Sequence, residues 1–126
     1  MNDAKVVRLD EVEVVKFGPS SVYQLIIGDD EGTTAIRTGI QTSQPGYATR
    51  LHSHPYVEVL TVLEGRGEAW LDGKDGTIAM APGVTISIPA GQLHGFRVVG
   101  DAPLVTYGIH TFPKRIVNYK DEPTSS

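Results

Sequence analysis

Three side chains that can bind a metal ion lie close together in the segment 46–58, namely His52, His54 and Glu58. In an extended chain, residues two apart point to the same face, so these three side chains are predicted to face one way. Two imidazoles and a carboxylate can fill three coordination positions of one metal, provided that a fourth group arrives from elsewhere. The spacing therefore predicts part of a metal site.

A fourth candidate ligand is His94, which follows the turn sequence Pro89-Ala90-Gly91. A Pro-x-Gly turn can direct this histidine back toward the first segment, and the separation of 36 positions from Glu58 leaves room for strands that run out and back. Burying histidines and a carboxylate together is costly unless a cation compensates them. We therefore predict one divalent transition metal bound by His52, His54, Glu58 and His94. Nitrogen and oxygen ligands suit Mn, Fe, Co, Ni or Zn without choosing among them.

Composition excludes several other functions. The chain of 126 residues has no cysteine, so disulfides, thiolate nucleophiles and sulfur-ligated metals are excluded. Its formal charge of −4 and its scattered basic residues argue against nucleic-acid binding. No apolar run approaches the roughly 20 residues of a membrane span, and no secretory signal peptide is visible, so a cytoplasmic protein is expected.

The elements that position the candidate ligands are predicted to be strands. Fourteen glycines and eight prolines separate short segments that are rich in Val, Ile, Thr and Tyr, and helical periodicity is interrupted nearly everywhere. Many short strands at such spacing predict an all-β barrel or sandwich. The predicted strands are 12–17, 22–27, 34–42, 57–64, 67–71, 76–80, 85–88, 95–99 and 104–110.

The chain is predicted to form one domain over 1–126, since a chain of this length can bury a single core. Within it we expect an N-terminal strand or arm at 1–20, a barrel at 21–113 and a C-terminal extension at 114–126.

Two sequence motifs resemble those of the cupin superfamily. The first, G-x5-H-x-H-x3-E-x6-G, is matched by Gly46, His52, His54, Glu58 and Gly65. The second, G-x5-P-x-G-x2-H-x3-N, is matched by Gly83, Pro89, Gly91 and His94, whereas Val98 occupies its Asn position. The resemblance covers 34–112. It implies an antiparallel jelly-roll β-barrel with little or no helix, a metal held by the motif histidines and glutamate, and a homodimer in which the N-terminal strand packs on the neighbouring barrel.

Other residues are assigned from their positions relative to the ligands. Arg50 and Tyr56 have the same parity as the ligands, so they are candidates for the substrate pocket, with Phe96, Val98 and Tyr107 as apolar lining. Gly46, Gly65, Gly83, Pro89 and Gly91 are predicted to be structural turn residues. His110 lies outside both motifs and is predicted to be structural.

Two functional classes remain open. The first is a metal-dependent enzyme acting on a small organic acid, ketone or phenolic compound, as an oxygenase, decarboxylase, isomerase or lyase. The second is a non-catalytic module that binds or senses a small molecule, since no general acid or base stands out beyond the ligands. A metal-free sugar epimerase is less consistent with the motif, because the similar epimerases use a different His–Asp arrangement.

Overall fold

The computed structural model describes residues 4–120, which form short β-strands and a single-turn 3-10 helix, Leu9–Glu11. The prediction of an all-β chain with little helix is confirmed. The strands are β1 (Val15–Lys16), β2 (Ser21–Ile27), β3 (Arg37–Ser43), β4 (His52–Ser53), β5 (Glu58–Glu64), β6 (Gly67–Leu71), β7 (Ile78–Met80), β8 (Thr85–Ile88), β9 (His94–Val98), β10 (Leu104–His110) and β11 (Asn118–Tyr119).

The strands form two antiparallel sheets. The first has the order β1-β2-β3-β10-β5-β8 and the second the order β11-β4-β9-β6-β7. Consecutive strands often lie in different sheets, so the chain crosses repeatedly from one sheet to the other. Buried side chains from both sheets share one hydrophobic cluster, which confirms the predicted jelly-roll barrel.

Inward-facing side chains change from polar to apolar along three strands of the barrel. Because side chains alternate along a strand, every second residue of a strand faces the interior. The three rows are Glu58, Leu60 and Val62 on β5, His94, Phe96 and Val98 on β9, and His110, Gly108, Thr106 and Leu104 on β10. One end of the interior is therefore polar, and the other is a hydrophobic core.

The side chains at the core end are almost completely buried. Val62, Met80 and Leu104 have at most 1% of their surface exposed, and burying a side chain of this size contributes about 1.5–3 kcal/mol to stability. The core thus supplies the stability that allows the opposite end of the barrel to carry polar side chains.

The predicted strands differ from the observed ones mainly at their ends. Segment 12–17 forms a strand only at 15–16, and β3 begins at Arg37 rather than at residue 34. Strands β4 and β11 were not predicted, because a two-residue strand has no periodicity and exists only through its partner. Between residues 4 and 120 no helix has the length and hydropathy that crossing a bilayer requires.

Both terminal segments add strands to the barrel. Strand β1 pairs with β2 of the same chain through Val15 and Tyr23, while pairing with a second copy stays a prediction. Strand β11, within the predicted extension 114–126, pairs with β4, where Tyr119 is opposite His52. Residues 1–3 of the predicted arm and 121–126 of the extension lie outside the described residues.

The motif glycines occupy turns whose backbone conformation is rare in residues that carry a side chain. Gly46, Gly65, Gly83 and Gly91 all have φ between +80° and +93°, a left-handed conformation that glycine reaches at little cost. Gly65 has a further constraint, because a Cβ there would collide with the Pro103 carbonyl oxygen. At Gly83 a Cβ would meet nothing within 4 Å.

This difference makes Gly83 a matched control for Gly65. We expect Gly83→Ala to lower the free energy of unfolding by about 1–2 kcal/mol, the cost of left-handed backbone at a non-glycine residue. Gly65→Ala should cost at least about 1 kcal/mol more, because the added methyl group meets backbone that cannot move aside cheaply. Urea denaturation of both variants measures this, and equal losses would contradict the close contact at Gly65.

Candidate metal centre

The candidate ligands meet where the chain crosses from one sheet to the other. His52 belongs to β4 of the second sheet and pairs directly with His94, the first residue of β9. His54 lies in the crossing segment, and Glu58 is the first residue of β5 in the first sheet. His110, the last residue of β10, pairs with Glu58. All four histidines of the chain therefore gather at the polar end of the barrel.

The turn before β9 is hydrogen-bonded to the crossing segment that carries His54. The Gly91 N–H donates a hydrogen bond of 2.8 Å to the His54 carbonyl oxygen. Upstream, the segment before β4 runs along β9, where Thr49 N–H donates to the Phe96 carbonyl oxygen at 2.9 Å. These backbone bonds bring His94 beside His52, with ring centroids 4.3 Å apart.

The Glu58 carboxylate lies at the centre of the cluster. Its Oε1 atom is 3.2 Å from Nε2 of His54 and 3.2 Å from Nε2 of His94. Its Oε2 atom is 3.3 Å from Nε2 of His110. The ligand atoms of His52, His54 and His94 lie within 4.8 Å of one another, as do those of His54, Glu58 and His110. Glu58 is thus in direct contact with His54 and His94, and His52 joins them through the rings of His54 and His94, with centroids 5.2 and 4.3 Å away.

Backbone carbonyl groups fix the tautomer of three of the histidines. Nδ1 of His52 is 2.6 Å from the Arg50 oxygen, Nδ1 of His54 is 2.7 Å from the Ile116 oxygen, and Nδ1 of His94 is 2.8 Å from the Gln92 oxygen. A carbonyl oxygen can only accept a hydrogen bond, so each Nδ1 must carry the proton. In the neutral rings each Nε2 therefore offers a lone pair, as metal-binding imidazoles do.

This arrangement fits a divalent metal ion. Bare Nε2 atoms of His54 and His94 and a carboxylate oxygen would repel one another at 3.2 Å unless a proton or a cation lay between them. Burial on its own would raise the pKa of Glu58, but the neighbouring imidazoles, first of all that of His110, hold it well below its ordinary value, so the group is a carboxylate. Neutral imidazoles and a carboxylate are the donor set that Mn, Fe, Co, Ni and Zn accept.

The His52 ring is available to a metal over a wide pH range. Burial lowers the pKa of His52 to about 4, although the hydrogen bond to Arg50 acts in the opposite direction. The neighbouring His94 and His54 rings lower the pKa further. The ring is therefore neutral at and below neutral pH.

A cavity of about 620 Å³ opens beside these side chains, a volume suited to a small organic ligand. His52, His54, Glu58, His94 and His110 form part of its wall. Gly39 and Gly108, which are opposite each other across β3 and β10, form another part of the wall without side chains. Of the predicted pocket residues, Arg50 and Phe96 line this cavity.

Tyr56, Val98 and Tyr107 were predicted as pocket residues but do not line the cavity. Tyr56 lies in the crossing segment before β5, where the alternation of a strand is interrupted. Its buried ring stacks on the His54 ring, with centroids 5.2 Å apart. Val98 lies one inward position beyond Phe96, in the hydrophobic core, where its N–H donates to the Tyr47 carbonyl oxygen at 2.9 Å. Tyr107 alternates with Thr106 and Gly108, so its side chain leaves β10 on the other face.

Several residues that line the cavity were not predicted. Tyr23 comes from β2, and its hydroxyl lies where a Cβ on Gly39 would be. Arg115, Val117 and Tyr119 come from the C-terminal segment. Their period-two spacing was the available signal, but only the pairing of β11 with β4 shows that this segment reaches the site.

The mouth of the cavity combines arginines with aromatic rings. The Arg50 guanidinium lies 4.1 Å from the Tyr119 ring centroid, and that of Arg115 lies 4.8 Å from the Phe17 ring centroid. Phe17 in turn stacks on Tyr23, with centroids 4.8 Å apart. Burial raises the pKa of Tyr23 in spite of the nearby Arg37, so its phenol stays protonated near neutral pH. Such a mouth can receive a planar anion.

The lowered pKa of His52 predicts a pH dependence of stability. The unfolded ring takes up a proton near pH 6.5 and the folded ring only near pH 4, so the metal-free protein should lose stability as pH falls between these values. One pKa unit corresponds to about 1.4 kcal/mol, and solvent screening of a half-buried ring reduces the total loss to roughly 2 kcal/mol. The Glu58 contribution is lost only below its ordinary pKa of 4.5.

Denaturant unfolding with a chelator present, at several pH values, measures this loss. His52→Asn is the control, because a side chain that does not titrate should flatten the curve between pH 6.5 and 4. A wild-type curve as flat as that of the variant would contradict the shifted pKa.

Comparison with known proteins places this geometry in a family. Residues 39–110 match the family model of the Cupin domain. Over 97 residues the chain is 28% identical to a 5-nitrosalicylic acid 1,2-dioxygenase from Bradyrhizobium sp., a stretch that covers 70% of this chain and 46% of the relative. The chain thus spans about half the length of this curated relative.

Solved structures share the fold at lower identity. The polyketide cyclase RemF from Streptomyces resistomycificus is 23% identical with a TM-score of 0.79, covering 96% of this chain and 88% of RemF. Bacillus subtilis oxalate decarboxylase, a protein with Mn(II) centres, is 22% identical with a TM-score of 0.76, covering 90% of this chain and 31% of that protein. With the family model matched over more than half of its length, the chain belongs to the cupin family.

Proposed function

We propose that this protein is a metal-dependent oxygenase that acts on a small planar organic anion, an aromatic acid or phenol. The observation that carries the proposal is the convergence of three imidazole Nε2 lone pairs and the Glu58 carboxylate beside a cavity whose mouth has arginine and aromatic side chains. The similarity to a dioxygenase of 5-nitrosalicylic acid supports this substrate class.

His52, His54, Glu58 and His94 would hold one divalent ion in this proposal. When bound, such an ion polarises a substrate oxygen or, if it is redox-active, exchanges electrons with dioxygen. Mn and Fe suit oxygen chemistry best among the metals that this donor set accepts. The carbonyl partners of the three Nδ1 atoms keep the rings oriented, and such outer contacts support metal affinity.

The remaining cavity residues would bind and orient the organic anion. Arg50 and Arg115 offer guanidinium groups that suit a carboxylate, and the protonated Tyr23 hydroxyl can donate to a phenolate or carboxylate oxygen. Leu60 and Phe96 form the apolar floor, which excludes water from an aromatic ring. The proposed reaction is a ring cleavage, in which one ring carbon–carbon bond breaks, two C–O bonds form and both atoms of dioxygen enter the product, so no external reductant is needed.

Metal content tests the ligand set. Protein purified without an affinity tag should contain about one Mn, Fe, Co, Ni or Zn ion per chain, and His94→Ala should lower the affinity at least about 100-fold, since it removes a direct ligand. Elemental analysis and titration with Zn²⁺ measure this. Arg115→Ala, a change at the cavity mouth away from Glu58, should retain the metal. Equal metal content in His94→Ala and wild type would overturn the proposed centre.

The substrate class is tested with a panel of hydroxybenzoates and neutral phenols. We expect oxygen uptake with the anions, transfer of both atoms of isotopically labelled dioxygen to the product, and a KM at least about tenfold higher in Arg115→Ala, because an ion-pair hydrogen bond contributes about 1.5–3 kcal/mol. Arg66→Ala, at an exposed arginine outside the cavity, is the matched control.

Other outcomes separate the alternative functions. Turnover of these acids without oxygen uptake would contradict the oxygenase and favour a decarboxylase, isomerase or lyase. Tight binding of the anions without any turnover, in protein that carries its metal, would favour a non-catalytic binding module.

A further inference from the structure

His110 differs from the other three histidines in the partner of its Nδ1 atom. His52, His54 and His94 each donate from Nδ1 to a backbone carbonyl oxygen. Nδ1 of His110 instead lies 2.7 Å from the Tyr56 hydroxyl. A hydroxyl can donate as well as accept, so this is the one ring of the four whose tautomer is not dictated by a carbonyl group.

The surroundings of Tyr56 favour donation from its hydroxyl to His110. The Ile116 N–H donates to the Tyr56 oxygen at 3.2 Å. The Ile116 carbonyl oxygen accepts from Nδ1 of His54 at 2.7 Å and is farther from the Tyr56 hydroxyl, at 3.4 Å. The phenolic hydrogen therefore has its best acceptor in Nδ1 of His110, which leaves the proton of that ring on Nε2.

The opposite side of the ring leads to the same tautomer. Nε2 of His110 is 3.3 Å from Oε2 of Glu58, and an ionised carboxylate only accepts hydrogen bonds. An Nε2–H group makes this contact attractive, whereas a bare Nε2 would face it with a lone pair. His110 also contacts a different oxygen of Glu58 from the one that faces His54 and His94.

We propose that His110 is a positioning residue which donates its Nε2–H to Oε2 of Glu58 and thereby directs Oε1 toward the metal. The inference rests on the metal centre proposed above and assigns His110 a place outside the ligand set. Tyr56 fixes the tautomer of His110. The carboxylate then contributes one oxygen to the ion, and the hydrogen bond holds the other.

Nitrogen-15 NMR of the full-length chain tests the tautomers directly. In metal-free protein near neutral pH, we expect a proton on Nδ1 of His52, His54 and His94 and the Nε2–H tautomer for His110, assigned through the loss of its signals in His110→Gln. Loading with Zn²⁺ should leave the Nε2–H proton of His110 in place. A proton on Nδ1 of His110 in metal-free protein would overturn the positioning role. Loss of the Nε2 proton of His110 on zinc binding would overturn it as well and make His110 a ligand.

Zinc affinity provides a second measurement. His110→Ala should bind Zn²⁺ about 10–100-fold more weakly, as expected for loss of an outer contact to a ligand, while thermal unfolding of the metal-free variant checks that it folds. His110→Gln should recover most of the affinity, because its amide can donate to Glu58. Tyr56→Phe should mix the two tautomers of His110, whereas Tyr107→Phe, which removes a phenol outside the cavity, should not.

The outcomes distinguish the two proposals. A wild-type chain that binds no Zn²⁺ would overturn the metal centre and with it the positioning role. If wild type binds Zn²⁺ and His110→Ala binds it with the same affinity, the metal centre stands and only the role of His110 is overturned.

Discussion

A buried carboxylate among imidazoles is the constraint around which the polar end of this barrel is organised. Glu58 has two oxygens and three histidine neighbours, and its charge needs compensation because its side chain is only 12% exposed. His110 can satisfy one oxygen with an ordinary hydrogen bond. The other oxygen faces two nitrogen lone pairs, so a cation between them removes a repulsion that the fold would otherwise have to bear.

The barrel tolerates this arrangement because stability and chemistry occupy opposite ends of the same strands. On β5 and β9 a single step of two residues leads from a polar side chain, Glu58 or His94, to Leu60 or Phe96, which belong to both the cavity wall and the core. The hydrogen bond from the Gly91 N–H to the His54 carbonyl oxygen joins two segments that cross between the sheets, beside the ligands. Packing in the hydrophobic core thus helps to fix the distances between the histidines and Glu58 at the polar end.

Much of this could be predicted from the sequence, and the failures have physical causes. Local spacing predicted the all-β fold and grouped His52, His54, Glu58 and His94, because strand alternation and a Pro-x-Gly turn depend on neighbouring residues. His110 was predicted to be structural because it lies outside both motifs, and its contact with Glu58 depends on β10 lying beside β5, which no local pattern reveals. Tyr56 was assigned to the pocket by parity, yet the crossing between sheets interrupts parity at that point. Arg115 and Tyr119 reach the cavity only through the short pairing of β11 with β4.

The paired glycines of β3 and β10 bear on how such a barrel could change its ligand. Gly39 is fixed, because the Tyr23 hydroxyl occupies the space of a side chain there. At Gly108 a methyl group would rest against Leu60 and Glu58 at 3.6 and 3.9 Å, which is ordinary packing distance. Position 108 can therefore accept a methyl group while every histidine stays in place. The cavity could then take a ligand of a different size while the barrel and the donor atoms of the site stay unchanged.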